Sequence, residues 1–123
     1  MSKEQKQSEC TTAVEYNKRG NTYFNQGKLD LAFADFTKAI ELDPENATAY
    51  YNRSNTYCKQ GKLDQAIADY DKAISIKSEY GYSYLNRGMA RECIRDQQGA
   101  CEDWNKAVQL GVEQGSKFLQ DCK

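Results

Sequence analysis

Histidine is absent from the 123 residues. That removes the usual general base at neutral pH and the commonest transition-metal ligand, and with them most enzymatic readings of the chain. Proline occurs once, at Pro44, so little in the sequence interrupts a helix. No apolar run approaches the roughly 18 residues that a membrane-spanning helix needs. Neither sign of charge dominates: 17 Lys and Arg stand against 18 Asp and Glu, spread along the chain. No basic field therefore exists to gather phosphates by counterion release, and nucleic acid is not an expected partner. The N-terminal stretch MSKEQKQSECTT lacks the apolar core of a secretory signal, so the chain as given reads as cytoplasmic. A periplasmic or secreted location would follow only where a leader had been removed. Five cysteines, an odd number without CxxC spacing, do not make a zinc site or a disulfide framework, and no metal or cofactor is expected.

What is present is a repeat. Tyr16, Tyr50 and Tyr84 are spaced by 34 residues, as are Gly20, Ser54 and Gly88; Ala32, Ala66 and Ala100; Phe36, Tyr70 and Trp104; and Ala39, Ala73 and Ala107. Within a period the steps of 3 and 4 between Tyr16, Gly20 and Tyr23, and between Ala32, Phe36 and Ala39, are helical, so each repeat is two helices. Gly27 and Gly61 supply the turn between them, because glycine ends a helix in the left-handed conformation at least cost. Asp43-Pro44 stops the second helix of the first repeat. The small residues at 20, 54 and 88 are expected to face Ala32, Ala66 and Ala100 and let the helix axes approach. A leucine in such a place costs about 1–3 kcal/mol through overpacking.

The spacing predicts helices over 13–26, 30–43, 47–60, 63–76, 81–94 and 97–110, preceded by a flexible segment 1–12. A seventh helix over 113–122 would cap the last repeat, since a one-dimensional stack otherwise ends on an exposed apolar flank. Length agrees with one domain over 13–122, divided into repeats 13–46, 47–80 and 81–114, and a chain this long buries roughly two-thirds of its unfolded surface.

With Tyr16, Gly20, Tyr23, Ala32, Phe36, Ala39 and Pro44 in this order, the chain resembles the tetratricopeptide repeat family. The second repeat has Ser78 where the proline would fall, and the third has Arg91 for the tyrosine, Arg95 for the turn glycine and Val112 for the proline. The resemblance implies an all-α, right-handed superhelical α-solenoid of seven helices. It also implies that the first helices line a concave groove that binds a peptide segment or helix of a partner protein.

Projected onto those first helices, Asn17, Lys18, Asn21, Tyr51, Asn52, Asn55, Tyr82, Leu85, Asn86 and Met89 are the groove candidates. Asparagine suits the work because its carboxamide donates and accepts, matching an extended backbone, while aromatic and methionine side chains supply contact area. For Tyr51 and Leu85, packing against a neighbouring repeat is the structural alternative. Some family members hold an acidic chaperone tail in a clamp of two lysines, two asparagines and an arginine. Here Asn21 and Asn52 match the asparagines, but Asn17 and Tyr82 stand for the lysines and Asn86 for the arginine, which argues against strong binding of such tails.

Cys101 and Cys122 face each other across the last predicted turn. A bridge that pins the cap and two buried thiols are both compatible with that placement, thiols being the commoner state in a reducing compartment. Cys58 and Cys93 read as groove lining rather than nucleophiles. The recurring Asp35/Lys38, Asp69/Lys72 and Asp103/Lys106 read as solvated ion pairs on the outer face. The chain is thus expected to be a non-enzymatic adaptor or scaffold, monomeric or weakly dimeric. The rival reading is a structural protein that self-associates or exchanges its cap helix.

Overall fold

A computed structural model describes residues 10–122. It contains α1 (Ala13–Asn25), α2 (Leu29–Leu42), α3 (Ala47–Lys59), α4 (Leu63–Ile76), α5 (Gly81–Cys93), α6 (Gln97–Gln109) and α7 (Gly115–Leu119), with no strand among the described residues. Each odd helix packs along the even helix that follows it, each even helix packs against the next odd one, and α1, α3 and α5 touch in turn. The chain is therefore an all-α solenoid of helical hairpins. Among the described residues no helix is long and apolar enough to cross a membrane, and no group of three His, Cys, Asp or Glu residues could hold a metal ion.

The helix starts have local causes. Thr12 and Glu15 form a reciprocal capping box on α1, Asn46 Oδ1 accepts from Ala49 N at 2.9 Å on α3, and Asp96 Oδ1 accepts from Gly99 N at 3.0 Å on α6. Residues 10–12, expected to be flexible, are thus engaged in the first cap; residues 1–9 of that expected segment lie outside the described residues. The turns within the repeats use the left-handed conformation at Gly27 and Gly61, both with φ 77°. The third repeat makes the same turn with Arg95 at φ 67°, so its missing glycine changes the cost of the turn and not its shape.

Ala32, Phe36, Ala39, Ala66, Tyr70, Ala73, Ala100, Trp104 and Ala107 form the buried spine. The small residue on each first helix is read slightly differently by the structure than by the sequence. A Cβ at Gly20 would lie 2.5 Å from the Phe36 ring, and one at Gly88 would lie 2.6 Å from Trp104 Nε1. The aromatic of the second helix therefore lies against the glycine, closer than the alanine that was expected there. Val112, standing where the first repeat has proline, is buried against Gly81 and closes the third repeat with an apolar contact.

The recurring aspartates require a correction. Asp35, Asp69 and Asp103 are buried, and each accepts two hydrogen bonds from an arginine 16 residues earlier: Arg19, Arg53 and Arg87. The pairs are bidentate, with distances between 2.6 and 3.0 Å. Lys38 reaches Glu41 instead, at 3.7 Å. The reason is directional: the aspartates point inward toward the first helix of their own repeat, where the guanidinium lies over the aromatic that opens that repeat. Arg19 stands 5.6 Å from the Tyr16 ring, Arg53 6.0 Å from Tyr50 and Arg87 5.5 Å from Tyr84. Arg87 also reaches Asp71 at 2.7 Å, tying the third repeat to the second, and Arg91 adds a bond to Asp103 at 3.0 Å. Arg91 thus uses the place of the family tyrosine to join this network.

The cap is shorter than expected, five residues rather than ten. A disulfide between Cys101 and Cys122 holds it, where paired thiols had been the commoner expectation, and Phe118 stacks on Trp104 at 4.9 Å. Two residues of the expected helix, Glu113 and Gln114, are spent on the turn that lets Gly115 approach the backbone of α6.

Candidate functional site

The face built by α1, α3 and α5 carries two cavities and a polar bar between them. Asn86 Nδ2 on α5 donates to Tyr51 Oη on α3 at 2.9 Å and to Asn55 Oδ1 at 3.2 Å, and Asn55 Oδ1 also accepts from the Tyr70 hydroxyl of α4. Tyr51 packs edge-on against Tyr80 at 5.2 Å, and Tyr80 leans on Tyr82 at 5.7 Å. Burial pushes the Tyr51 and Tyr70 hydroxyls and the Cys58 thiol, which lies 3.7 Å from Tyr70 Oη, above their ordinary values. All three are therefore neutral at physiological pH, and the bar offers hydrogen bonds without charge.

The first cavity, of about 290 Å³, lies between α1, α3 and the start of α5. Asn21, Thr48, Tyr51, Asn52, Tyr80 and Ser83 contribute to its lining, and Lys77 is the charged residue among those around it. Asn52 is 7 % exposed and its Nδ2 has no hydrogen-bond partner in the protein. A buried amide without a partner is costly unless something supplied from outside satisfies it. Lys77 Nζ sits 5.9 Å from the centre of the Tyr80 ring. The second cavity, of about 310 Å³, is walled by Phe24, Cys58, Tyr70 and Met89, with Asn55, Lys59 and Asn86 completing it.

Of the residues expected in the groove, Asn21 and Asn52 line the first cavity with Tyr51, and Asn55, Asn86 and Met89 line the second. Tyr82 is 39 % exposed beside Tyr80, and Gln114 Nε2 approaches its hydroxyl at 3.5 Å. Lys18 is exposed and lines neither cavity. Two expectations need correction in position. Asn17 is buried and donates to Asn46 Oδ1 at 3.3 Å, so it braces the cap of α3. Leu85 is buried in the cluster of Ala100, Trp104, Ala107 and Val112, because its place on α5 faces the last hairpin. The packing alternative weighed from the sequence holds for Leu85.

The sequence reading missed Phe24, Lys59, Tyr70, Lys77, Tyr80 and Ser83. Phe24 lies three residues beyond Asn21, a spacing that helical periodicity brings to one face. Tyr70 carried a clear signal: a hydroxyl in a column otherwise filled by Phe36 and Trp104 must find a partner, and it finds Asn55. Lys77 and Tyr80 lie between α4 and α5, outside any first-helix pattern, and nothing in the periodicity points to them.

The sequence pattern of the TPR repeat matches residues 20–57 and 54–92. No curated protein matches the chain. Among solved structures, the first TPR of Spaghetti (RPAP3) bound to the HSP90 peptide SRMEEVD is 29 % identical, with 89 % of this chain and 88 % of that one aligned at a TM-score of 0.86. The second TPR domain of human RPAP3, in complex with the HSP70 peptide SGPTIEEVD, is 30 % identical over 88 % and 92 % of the two chains at 0.82. The Arabidopsis OM64 TPR domain is 28 % identical over 89 % and 94 % at 0.83.

Proposed function

The chain belongs to the tetratricopeptide repeat family, and we propose that it is a protein-protein interaction module that holds a peptide segment of a partner along the face of α1, α3 and α5. The observation that carries this reading is the unpartnered Asn52 amide at a cavity walled by the first two repeats and closed by Tyr80 and Ser83. An extended peptide backbone offers the acceptor this amide lacks. Relatives of the same length are seen with short peptides bound, which supports the mode of recognition without naming this chain's ligand. The chain acts as an adaptor or scaffold, and its groove chemistry is that of binding rather than turnover.

The clamp that some members use for acidic chaperone tails is not assembled here. Asn17 is occupied with Asn46, Asn86 with Tyr51 and Asn55, and Tyr82 brings no cation. A titration with a peptide ending Glu-Glu-Val-Asp should show binding weaker than micromolar. Selection from a displayed random peptide library against the wild type and Asn52→Ala tests the function itself. Because Asn52 Nδ2 has no partner in the protein, the alanine variant should keep its melting temperature while losing enriched sequences. Undiminished enrichment in the variant, or none with the folded wild type, would overturn the reading. Light scattering distinguishes the rival of self-association, for which a dimer growing with concentration would speak.

A further inference from the structure

The two cavities differ in what they leave unsatisfied. In the first, Asn52 Nδ2 lacks a partner. In the second, Asn55 Oδ1 and Asn86 Nδ2 are already engaged: the Tyr70 hydroxyl and Asn86 Nδ2 both donate to Asn55 Oδ1, and Asn86 Nδ2 donates again to Tyr51. A polar side chain entering the second cavity would lose its hydration and find those groups engaged, whereas an apolar one gains contact with Phe24, Met89, Cys58 and the Tyr70 ring. Met89 is 43 % exposed on this rim, a flexible thioether suited to closing over a guest. The volume of about 310 Å³ suits one large side chain rather than a whole helix face. The cavity draws Phe24 from the first repeat, Cys58 and Tyr70 from the second and Met89 from the third, so it exists only in the assembled stack.

Charge points to the neighbour of that side chain. Lys59 is the charged residue lining the second cavity, Lys77 the one lining the first, and no carboxylate lines either. Taking the groove reading above as its basis, we propose that the second cavity sets specificity. It admits one large apolar side chain of a partner's segment, and Lys59 selects an aspartate or glutamate beside it. The recognition is through side chains: a free terminal carboxylate is not required, because Asn17 Nδ2 and Asn86 Nδ2 are engaged within the protein and Tyr82 brings no cation, leaving only Asn21 and Asn52 of the five clamp positions.

The experiment is a peptide-display selection against the wild type, Met89→Glu and Met89→Leu. It is followed by fluorescence anisotropy of the winning peptides, each made with a free and an amidated C-terminus. The expected result is a Leu, Ile, Met or Phe at one position with Asp or Glu within two residues. Affinity should fall about tenfold or more in Met89→Glu, be kept in Met89→Leu and be unchanged by amidation. Met89 is too exposed for either change to unfold the stack. Enriched peptides that lack the apolar position, bind Met89→Glu equally or need a free C-terminus would overturn the specificity pocket while leaving the groove reading intact. No enrichment on any of the three folded proteins would overturn both.

Discussion

Asp69→Ala removes one half of the pair that joins α3 to α4. The Asp69 side chain is 10 % exposed and accepts from Arg53 Nε at 2.6 Å and Nη2 at 3.0 Å. Alanine would strand a guanidinium that is itself 19 % exposed, enclosed by the Phe33, Tyr50 and Tyr57 rings. Removing one partner of a buried pair costs about 3–5 kcal/mol. The remaining exposure of Arg53 and its bond to Thr37 at 3.4 Å place this case at the lower end, near 3 kcal/mol. For a domain of this size that lowers the melting temperature by about 10 °C. Urea unfolding followed by helical circular dichroism measures the difference, with two references. Asp71→Ala, whose side chain is 53 % exposed, should cost below about 1 kcal/mol. Arg53→Met with Asp69→Leu should return close to wild type, since no charge is left stranded. If Asp69→Ala destabilises no more than Asp71→Ala, the aspartate column is solvated and the account of the repeat given above is refuted.

The backbone N–H groups of Thr11 and Thr12, then the Thr11 hydroxyl, hold the Glu15 carboxyl below its ordinary value of 4.5. Its contribution is therefore present above that value and lost as pH falls through the lower folded one; the melting-temperature advantage of wild type over Glu15→Gln should vanish in acid. Arg95→Gly relieves a side chain at φ 67° and should stabilise by about 0.5–1 kcal/mol in urea unfolding, a loss of stability counting against the strain. Gly88→Ala drives a Cβ to 2.6 Å from Trp104 and should cost about 1–3 kcal/mol, with a shifted Trp104 emission as a second readout. Alkylation of the native, oxidised protein should modify exposed Cys93 before half-buried Cys58, whose thiol burial pushes up, and should leave Cys101 and Cys122 untouched; modification of either of the last two would show the bond absent.

Periodicity made the architecture legible because each level of the repeat repeats the same physical need. Tyr, Gly, Ala and aromatic columns at a spacing of 34 demand two helices that close on small residues, and helix ends fell within a residue or so of where Gly27, Gly61 and Pro44 put them. The cap was harder. Gly115 inside the predicted seventh helix serves close approach to α6, a need that exists only once α6 is in place. The groove was legible for residues whose side chains follow the first-helix face, such as Asn21, Asn55 and Met89, and illegible for Lys77 and Tyr80, which enter it from between repeats.

From sequence alone came the period, the helical hairpins, the lack of histidine and the family resemblance. These rest on local spacing and composition, which act within about one helical turn or one repeat. Tertiary structure decided which side of a helix each polar residue serves. Asp35, Asp69 and Asp103 share a spacing with lysines yet turn inward to arginines, and Asn17 Nδ2 and Asn86 Nδ2 donate inside the protein while Asn52 Nδ2 finds no partner there. A hydrogen bond needs both partners in position, and the partner here comes from another helix, often another repeat. No pattern along one strand of sequence encodes that meeting until the stack has formed.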